Sequence, residues 1–384
     1  MRSIRIEQLQ NAKVLVRVPN WVGDAVMCLP ALRELRKALP EAELALVSRP
    51  WVREIFPLDD LRCRIFAYDT RTTHRGLLGR WRLAAELRQE KFAAAILFQN
   101  ALDAALLALL AKIPIRAGYA RHGRGPLLTH PVPVPRRGEI PPHEAHYYLE
   151  LLRRLGLIEP FAEVREILLP TSDSQRAAAR TQLLALVRQK TQDRISQAEE
   201  KPIVGISPGA TFGTAKRWPG DRFAELAGKL RRELGATCVF FGSKEEKPLV
   251  DSLLPKTGGG TVSLAGETSL SEFILLIQGC DLYLTNDTGT MHVAAALGVP
   301  TLAIFGPTDE KATRPLGPRV ELMSGEAFCR PCLLRHCPID HRCMTSIPVE
   351  EVFRAACALL PREPQKQLAR QESPAATPAS RWQP

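Results

Sequence analysis

Several signatures of nucleotide enzymes are missing from this 384-residue chain. There is no GxxxxGK[ST] loop, which excludes a P-loop NTPase, and no GxGxxG follows a strand-like run, which argues against a nicotinamide enzyme. There is no DxD motif, so a required metal is not expected. Cationic side chains could do a metal's work, with a divalent cation at most stimulating. No apolar run is long and clean enough to span a membrane: the longest, residues 92–113, is broken by Gln99, Asn100 and Asp103. No stretch reads as a secretory signal, so a reducing, cytoplasmic setting is expected. Between Asp103 and Glu139 there is no acid and only one aromatic, Tyr119. The shortage of aromatics among the basic residues argues against single-stranded nucleic acid as partner.

What is present is a globular composition, 45% apolar and 24% charged, long enough for two cores. The net charge is +11, and residues 1–150 carry +8 of it, with 23 Lys/Arg against 15 Asp/Glu. Lys112, Arg116, Arg121, Arg124, Arg136 and Arg137 all fall in the acid-free stretch. Such a patch suits a phosphate-bearing partner or an anionic membrane, although a basic solvated surface would look the same. Of nine Cys, five sit alone in apolar contexts and read as reduced core thiols. The other four, Cys329, Cys332, Cys337 and Cys343, are close enough in sequence to hold a structural zinc, but their spacing is not a doubled CxxC.

The order of patterns is that of a doubly wound sheet, given twice. In the first half a β-rich run at 14–18 leads into Pro19–Asn20–Trp21–Val22–Gly23–Asp24, a helix pattern with Pro30 early in it as a kink, and a second strand at 44–47. A strand at 92–98, a helix at 101–111 and a strand at 115–119 follow, and residues 131–142 are Pro-rich and irregular. His143 and His146, three apart at a helix start, lack an acidic third ligand, so an exposed or phosphate-facing role is expected. After a polar helix at 172–201, a strand at 203–206 opens the second half. Its loop 208–219 offers Thr211, Thr214, Lys216 and Arg217 to a pyrophosphate. Val349 to Leu360 reads as a last helix, and the Pro/Gln/Ser-rich end has little to bury, so disorder is expected.

The stretch 285–309, TNDTGTMHVAAALGVPTLAIFGPTD, carries the most local information. A strand end, Asn286–Asp287–Thr288–Gly289 and a small-residue helix ended by Gly298 and Pro300 place free N–H groups and a carboxylate together. A phosphate-plus-sugar ligand fits this, and a mere cap by Asp287 fits it equally. Asp24 sits at the matching junction of the first half. It is either an N-cap or a carboxylate that takes a proton from a hydroxyl nucleophile.

Taken in order, RVPNWVGDAVM at 17–27, Phe98–Gln99–Asn100, Gly118–Tyr119, Pro208–Gly209–Ala210, AKRWP at 215–219 and the 285–307 stretch resemble the heptosyltransferases of glycosyltransferase family 9. The resemblance implies a GT-B fold, two Rossmann-like doubly wound parallel-sheet domains facing across a cleft. The expected boundaries are 1–170 for the acceptor domain, 171–200 for a helical connector, 201–348 for the donor domain, 349–361 for a final helix and 362–384 for a disordered tail. It implies an ADP-heptose donor, a phosphorylated lipid A–core acceptor, inversion at the transferred carbon, no nucleic acid, and peripheral contact with the anionic cytoplasmic face of the inner membrane. Asp24 matches the family's general base and Lys216 the lysine on the donor phosphates. Asp287, Thr288, Gly289, His292 and Thr211 match donor contacts, and Arg217 joins them. Asn20, Asn100, Arg121 and Arg124 are the expected acceptor contacts. Where first-step relatives carry a donor-binding acid after the turn glycine, this chain has Lys244, followed by Glu245 and Glu246. A different sugar on the same fold, or a non-catalytic nucleotide-sugar or nucleic-acid binder, are the alternatives.

Overall fold

The computed structural model describes residues 3–191 and 201–360. The expected tail at 362–384 and the end of the expected connector lie outside them.

Among the described residues twelve strands form two six-stranded sheets, and every pairing is parallel. The first contains β1 (Lys13–Arg17), β2 (Glu43–Ser48), β3 (Cys63–Ala67), β4 (Ala94–Leu97), β5 (Ile115–Tyr119) and β6 (His130–Val132), in the order β3-β2-β1-β4-β5-β6. The second contains β7 (Ile203–Ser207), β8 (Thr237–Phe240), β9 (Thr261–Ser263), β10 (Leu282–Asn286), β11 (Thr301–Phe305) and β12 (Val320–Ser324), in the order β12-β11-β10-β7-β8-β9. Counted from each sheet's own first strand the two orders are the same, 3-2-1-4-5-6. In both, the central pair (β1 beside β4, β7 beside β10) is where the winding reverses and a crevice opens at the carboxyl ends. β7 and β10 are buried throughout, as a strand covered by helices on both faces must be.

The segment after Gly23 departs from the expected single kinked helix. The chain makes one short helix, Val22–Met27, breaks at Cys28, and starts another, Leu29–Ala38, with Pro30 in its first turn. There the missing N–H is no loss, so the proline starts a helix and kinks nothing. The Asp173–Thr191 helix belongs with the second lobe: it packs on the Leu270–Ile277 helix, and the Arg180 guanidinium pairs with Asp281 at 2.8 Å. Just before it, Ile167 and Leu169 donate backbone N–H groups to Leu316 and Ala296 of that lobe. The final helix, Val349–Leu359, lies on the Gly220–Leu234 helix.

The lobes meet through the Val22–Met27 helix of the first and the Gly289–Ala296 helix of the second. Glycine is required on both sides of this contact. A Cβ on Gly23 would come within 2.9 Å of the His292 ring, and one on Gly289 within 2.8 Å of the Val22 Cβ. Apolar side chains of both lobes, among them Val26, Met27, Val293 and Leu297, share one continuous core behind that contact.

Candidate active site between the lobes

Each lobe delivers its functional groups from the ends of its central strands. In the first, the turn after β1 enters the Val22–Met27 helix, and Trp21 occupies the N-cap position. Asp24 is therefore not the cap the sequence allowed; it lies inside the first turn. No hydrogen bond from the described residues reaches its carboxylate. Burial raises its pKa to about 6, with Lys216 of the other lobe opposing the rise. The acid of one lobe and the cation of the other thus feel each other across one gap.

In the second lobe, Lys216 closes the short 3-10 turn Thr214–Lys216, and its Nζ lies 2.6 Å from the Asp287 carboxylate at the end of β10. Asp287 is buried, and it also accepts a hydrogen bond from the Thr308 hydroxyl. It does not cap the following helix. Thr288 stands at that N-cap, and its side chain bonds none of the helix amides; its hydroxyl is within 2.7 Å of the Thr290 hydroxyl. The first turn keeps its positive end for a ligand. Neighbouring Asn286 ties the loop down: its side chain accepts from the Trp218 N–H at 2.9 Å and donates to the Pro208 carbonyl at 2.8 Å. Trp218, itself buried, donates its indole N–H to the Ile347 carbonyl. Arg217 lies beside Lys216 and donates to the Ala210 carbonyl at 3.4 Å. Thr211 is exposed at the rim of the loop.

His292 is buried against Gly23 and stays neutral, its pKa held down to about 3 by burial and then by the charges of His143 and Lys216. His143 and His146 are corrected by the structure: both are buried, and neither is exposed or phosphate-facing. His143 caps the Glu144–Arg154 helix by accepting from the Ala145 N–H, and its Nε2 meets the Arg314 carbonyl of the second lobe at 2.9 Å. His146 accepts from the Val164 N–H.

The expected acceptor contacts divide into two groups. Arg121 is exposed on its loop, and its charge acts on Glu144 and Tyr147. Arg124 is a correction: it is fully buried, and its donors go to the Tyr119, Gln99 and Leu97 carbonyls and to the Asn100 side chain. It fastens strand ends together, with four of its five N–H donors bonded to protein and no surface exposed to a ligand. Asn100 in turn donates to the Tyr147 hydroxyl at 3.0 Å. Asn20 accepts from Arg17, another buried guanidinium, which also holds the Val18 and Val47 carbonyls.

Glu144 was missed from the sequence. It is the first residue of its helix, its pKa is raised to about 7 by burial and then by the Asp24 charge, and Arg121 opposes the rise. Only its adjacency to the two histidines could have drawn attention to it. Glu246 was also left unassigned among Lys244, Glu245 and Glu246. Its carboxylate lies so close over Gly209 that a Cβ there would stand 2.0 Å from Oε1, and it accepts from the Ser243 N–H. Of the two acids in that turn, it is the one over the loop at 208–219.

Cys329, Cys332, Cys337 and Cys343 line one small cavity of about 20 Å³ with Ala215, Pro307 and His341. The thiols are gathered but not arranged for a metal: among the described residues no group of three or more His, Cys, Asp or Glu could hold an ion. They do not fit the structural zinc that their spacing allowed, and no step of the chemistry is routed through one.

Two Rossmann lobes facing each other, with a carboxylate of raised pKa on one and a cation beside an uncapped helix start on the other, have the architecture of a GT-B glycosyltransferase. The chain belongs to glycosyltransferase family 9 (heptosyltransferase), whose profile matches residues 80–342. It is 30% identical to lipopolysaccharide heptosyltransferase 2 of Escherichia coli K12 over 318 residues, 81% of this chain and 87% of that one. It is also 30% identical to lipooligosaccharide heptosyltransferase 2 of Haemophilus influenzae, over 82% of this chain and 89% of the relative. The solved structure of E. coli ADP-heptose LPS heptosyltransferase II superposes with a TM-score of 0.72 at 27% identity, over 90% of this chain and 98% of that one.

Proposed function

We infer that the protein is an inverting heptosyltransferase that moves L-glycero-D-manno-heptose from ADP-heptose to a heptose of the lipopolysaccharide inner core. The observation that carries this reading is the placement of Asp24 and Lys216 on opposite lobes within electrostatic reach of one another. The solved E. coli ADP-heptose LPS heptosyltransferase II supports the donor class, and the lipopolysaccharide and lipooligosaccharide heptosyltransferase 2 relatives support the acceptor class.

In the proposed step, Asp24 takes the proton from the acceptor hydroxyl as its oxygen attacks the anomeric carbon of the donor. The bond from that carbon to the β-phosphate oxygen breaks on the far side, inverting the centre, and ADP leaves with the bonding pair. Lys216 moves from Asp287 to the diphosphate, and the start of the Gly289–Ala296 helix adds its positive end. A pKa of about 6 leaves Asp24 ionised at neutral pH and still a competent base. Arg217 and Thr211 are assigned to the donor. Arg121, with Asn20 and Asn100 behind it, is assigned to the phosphorylated acceptor.

No helix among the described residues is long and apolar enough to cross a membrane. The basic first lobe supports work at the anionic cytoplasmic face of the inner membrane. The test is purified protein with ADP-heptose and a core acceptor ending in one heptose. ADP release with a product one heptose heavier, linked with the opposite anomeric configuration to the donor, is expected. Preference for another nucleotide sugar, or a product of retained configuration, would overturn the assignment.

A further inference from the structure

On one of its helices the first lobe exposes three large apolar side chains together. Leu77 is 77% exposed, Leu78 82% and Trp81 64%. They stand at positions i, i+1 and i+4 of the Gly76–Gln89 helix, which puts them on one side of its first turns. The backbone holds them there. Gly79 lies against the preceding loop so closely that a Cβ would sit 2.1 Å from the His74 carbonyl carbon, and the opposite side of the helix faces out. Arg80 pairs with Asp103 of the Leu102–Leu110 helix, and the Tyr68 hydroxyl donates to the same carboxylate. Leu83, Ala84 and Leu87 bury the rest of the helix in the core.

The loop and first turns that carry them hold charge of one sign, with Asp69 and Glu86 flanking them and Asp103 paired to Arg80. From residue 70 to residue 85 there is no acid, while Arg71, Arg75, Arg80 and Arg82 all fall there. Arg75, at the N-cap position, is exposed. Arg71 stacks on Trp51 at 4.6 Å, and the Trp51 indole donates to the Asn20 carbonyl at 3.0 Å, in the turn that leads to Asp24. The patch is thereby tied to the acceptor side of the cleft. The second lobe also exposes apolar residues, Phe328, Leu333, Leu334 and Ile339, but Glu326 and Asp340 lie among them.

We propose that the start of the Gly76–Gln89 helix is the membrane-docking surface of this protein, with Leu77, Leu78 and Trp81 entering the headgroup layer of an anionic bilayer and Arg71 and Arg75 meeting its phosphates. Exposed leucines and a tryptophan ringed by arginine are what an interfacial helix presents to such a surface, and a lipid-linked acceptor would arrive on the side where Asp24 works. The assignment rests on the inferred transfer to a lipid-borne acceptor, yet it is read out independently of catalysis.

The experiment is co-flotation of the full chain with vesicles, either zwitterionic or containing anionic phospholipid, for the parent and three variants. The parent is expected to float with anionic vesicles and to be released by high salt, with a blue shift in tryptophan emission. Leu77→Ser/Leu78→Ser/Trp81→Ser should weaken partitioning at least about tenfold and abolish the shift. It should still transfer sugar to a water-soluble acceptor stripped of its fatty acids. Arg75→Glu should weaken binding to anionic vesicles by a few fold and leave the zwitterionic baseline where it was. Leu333→Ser/Ile339→Ser on the second lobe should bind like the parent. A parent that ignores vesicles, a triple variant that binds like the parent, or a loss confined to the second-lobe variant would each overturn the proposal. If the parent floats and the triple variant does not, yet no heptose is transferred, docking stands and the assigned reaction falls.

Discussion

The two lobes share a topology strand for strand, yet they treat their cations in opposite ways. In the first, the guanidiniums at the strand ends point inward: Arg17 and Arg124 are buried and bonded to backbone carbonyls. What remains at the crevice is an acid, Asp24, with no hydrogen bond on it from the described residues. In the second, the crevice holds a cation, Lys216, paired with the Asp287 carboxylate, a partner that the proposed step exchanges for a diphosphate. A duplicated sheet provides the same crevice twice, and the loops after its central strands decide whether that crevice accepts a proton or grips an anion. Desolvation serves both purposes. It raises Asp24 toward neutrality and, in a space closed by the other lobe, strengthens the pull of Lys216 on negative charge.

The largest effect that could break this contrast belongs to the acid. Asp24→Asn should cut kcat by about a thousandfold or more while the folded protein keeps its affinity for ADP, because the amide fills the same space but takes no proton. ADP binding by calorimetry beside turnover checks it; near-normal turnover would move the base elsewhere. Lys216→Met comes next, with a loss of about a hundredfold in kcat/KM for the donor. Its second readout sharpens the comparison between lobes. Lys216 holds the Asp24 pKa down, so removing it should shift the acid limb of the pH–rate profile above pH 6. A limb that stays in place would mean that the lobes do not communicate at this gap.

Arg124→Ala asks whether the inward cation really is structural. It strands the Gln99 and Tyr119 carbonyls and the Asn100 side chain, which should cost about 2–4 kcal/mol of stability. Urea unfolding should show the loss, while the acceptor KM at low temperature should change little. A large rise in KM with unchanged stability would return Arg124 to the acceptor site.

Much of this was legible in the residues. The repeated strand–loop–helix pattern gave two doubly wound halves. Asn286–Asp287–Thr288–Gly289 and Lys216 were singled out from cap chemistry and charge, and the structure brings them to one place. What escaped has a common physical cause. β3 and β12 lie at sheet edges, half-exposed along their length, so they lack the apolar run that marks a central strand. β6 was hidden by Pro131, which an edge strand tolerates because nothing needs its N–H. Arg124 was misjudged because a charged residue in a basic loop reads as exposed. Only the fold shows that three carbonyls from the ends of two neighbouring strands converge on it. Glu144 went unread because its raised pKa comes from burial in the folded lobe and then from the charge of Asp24, 120 residues earlier.

That pair supplies the smallest and most discriminating effect. Asp24 ionises first, at about 6, against a neighbour that still holds its proton, and Glu144 follows at about 7 against the charge already formed. Glu144→Gln should therefore leave the acid limb of the rate profile near pH 6, because the charge it removes is absent while Asp24 titrates. Stability should respond instead. Both carboxyls titrate higher in the folded protein than in the unfolded chain, so the folded state holds their protons more tightly. The stabilisation this gives is complete below the unfolded values, near 4, and is lost as the pH rises through 6 and 7. At pH 8 the parent carries two neighbouring buried charges and the variant one. The variant should then be the more stable by about 1–2 kcal/mol, with the margin shrinking to nothing by about pH 5. Thermal unfolding of both proteins across that range measures it. A margin that does not vary with pH would mean that the Glu144 carboxyl is not raised in the folded protein.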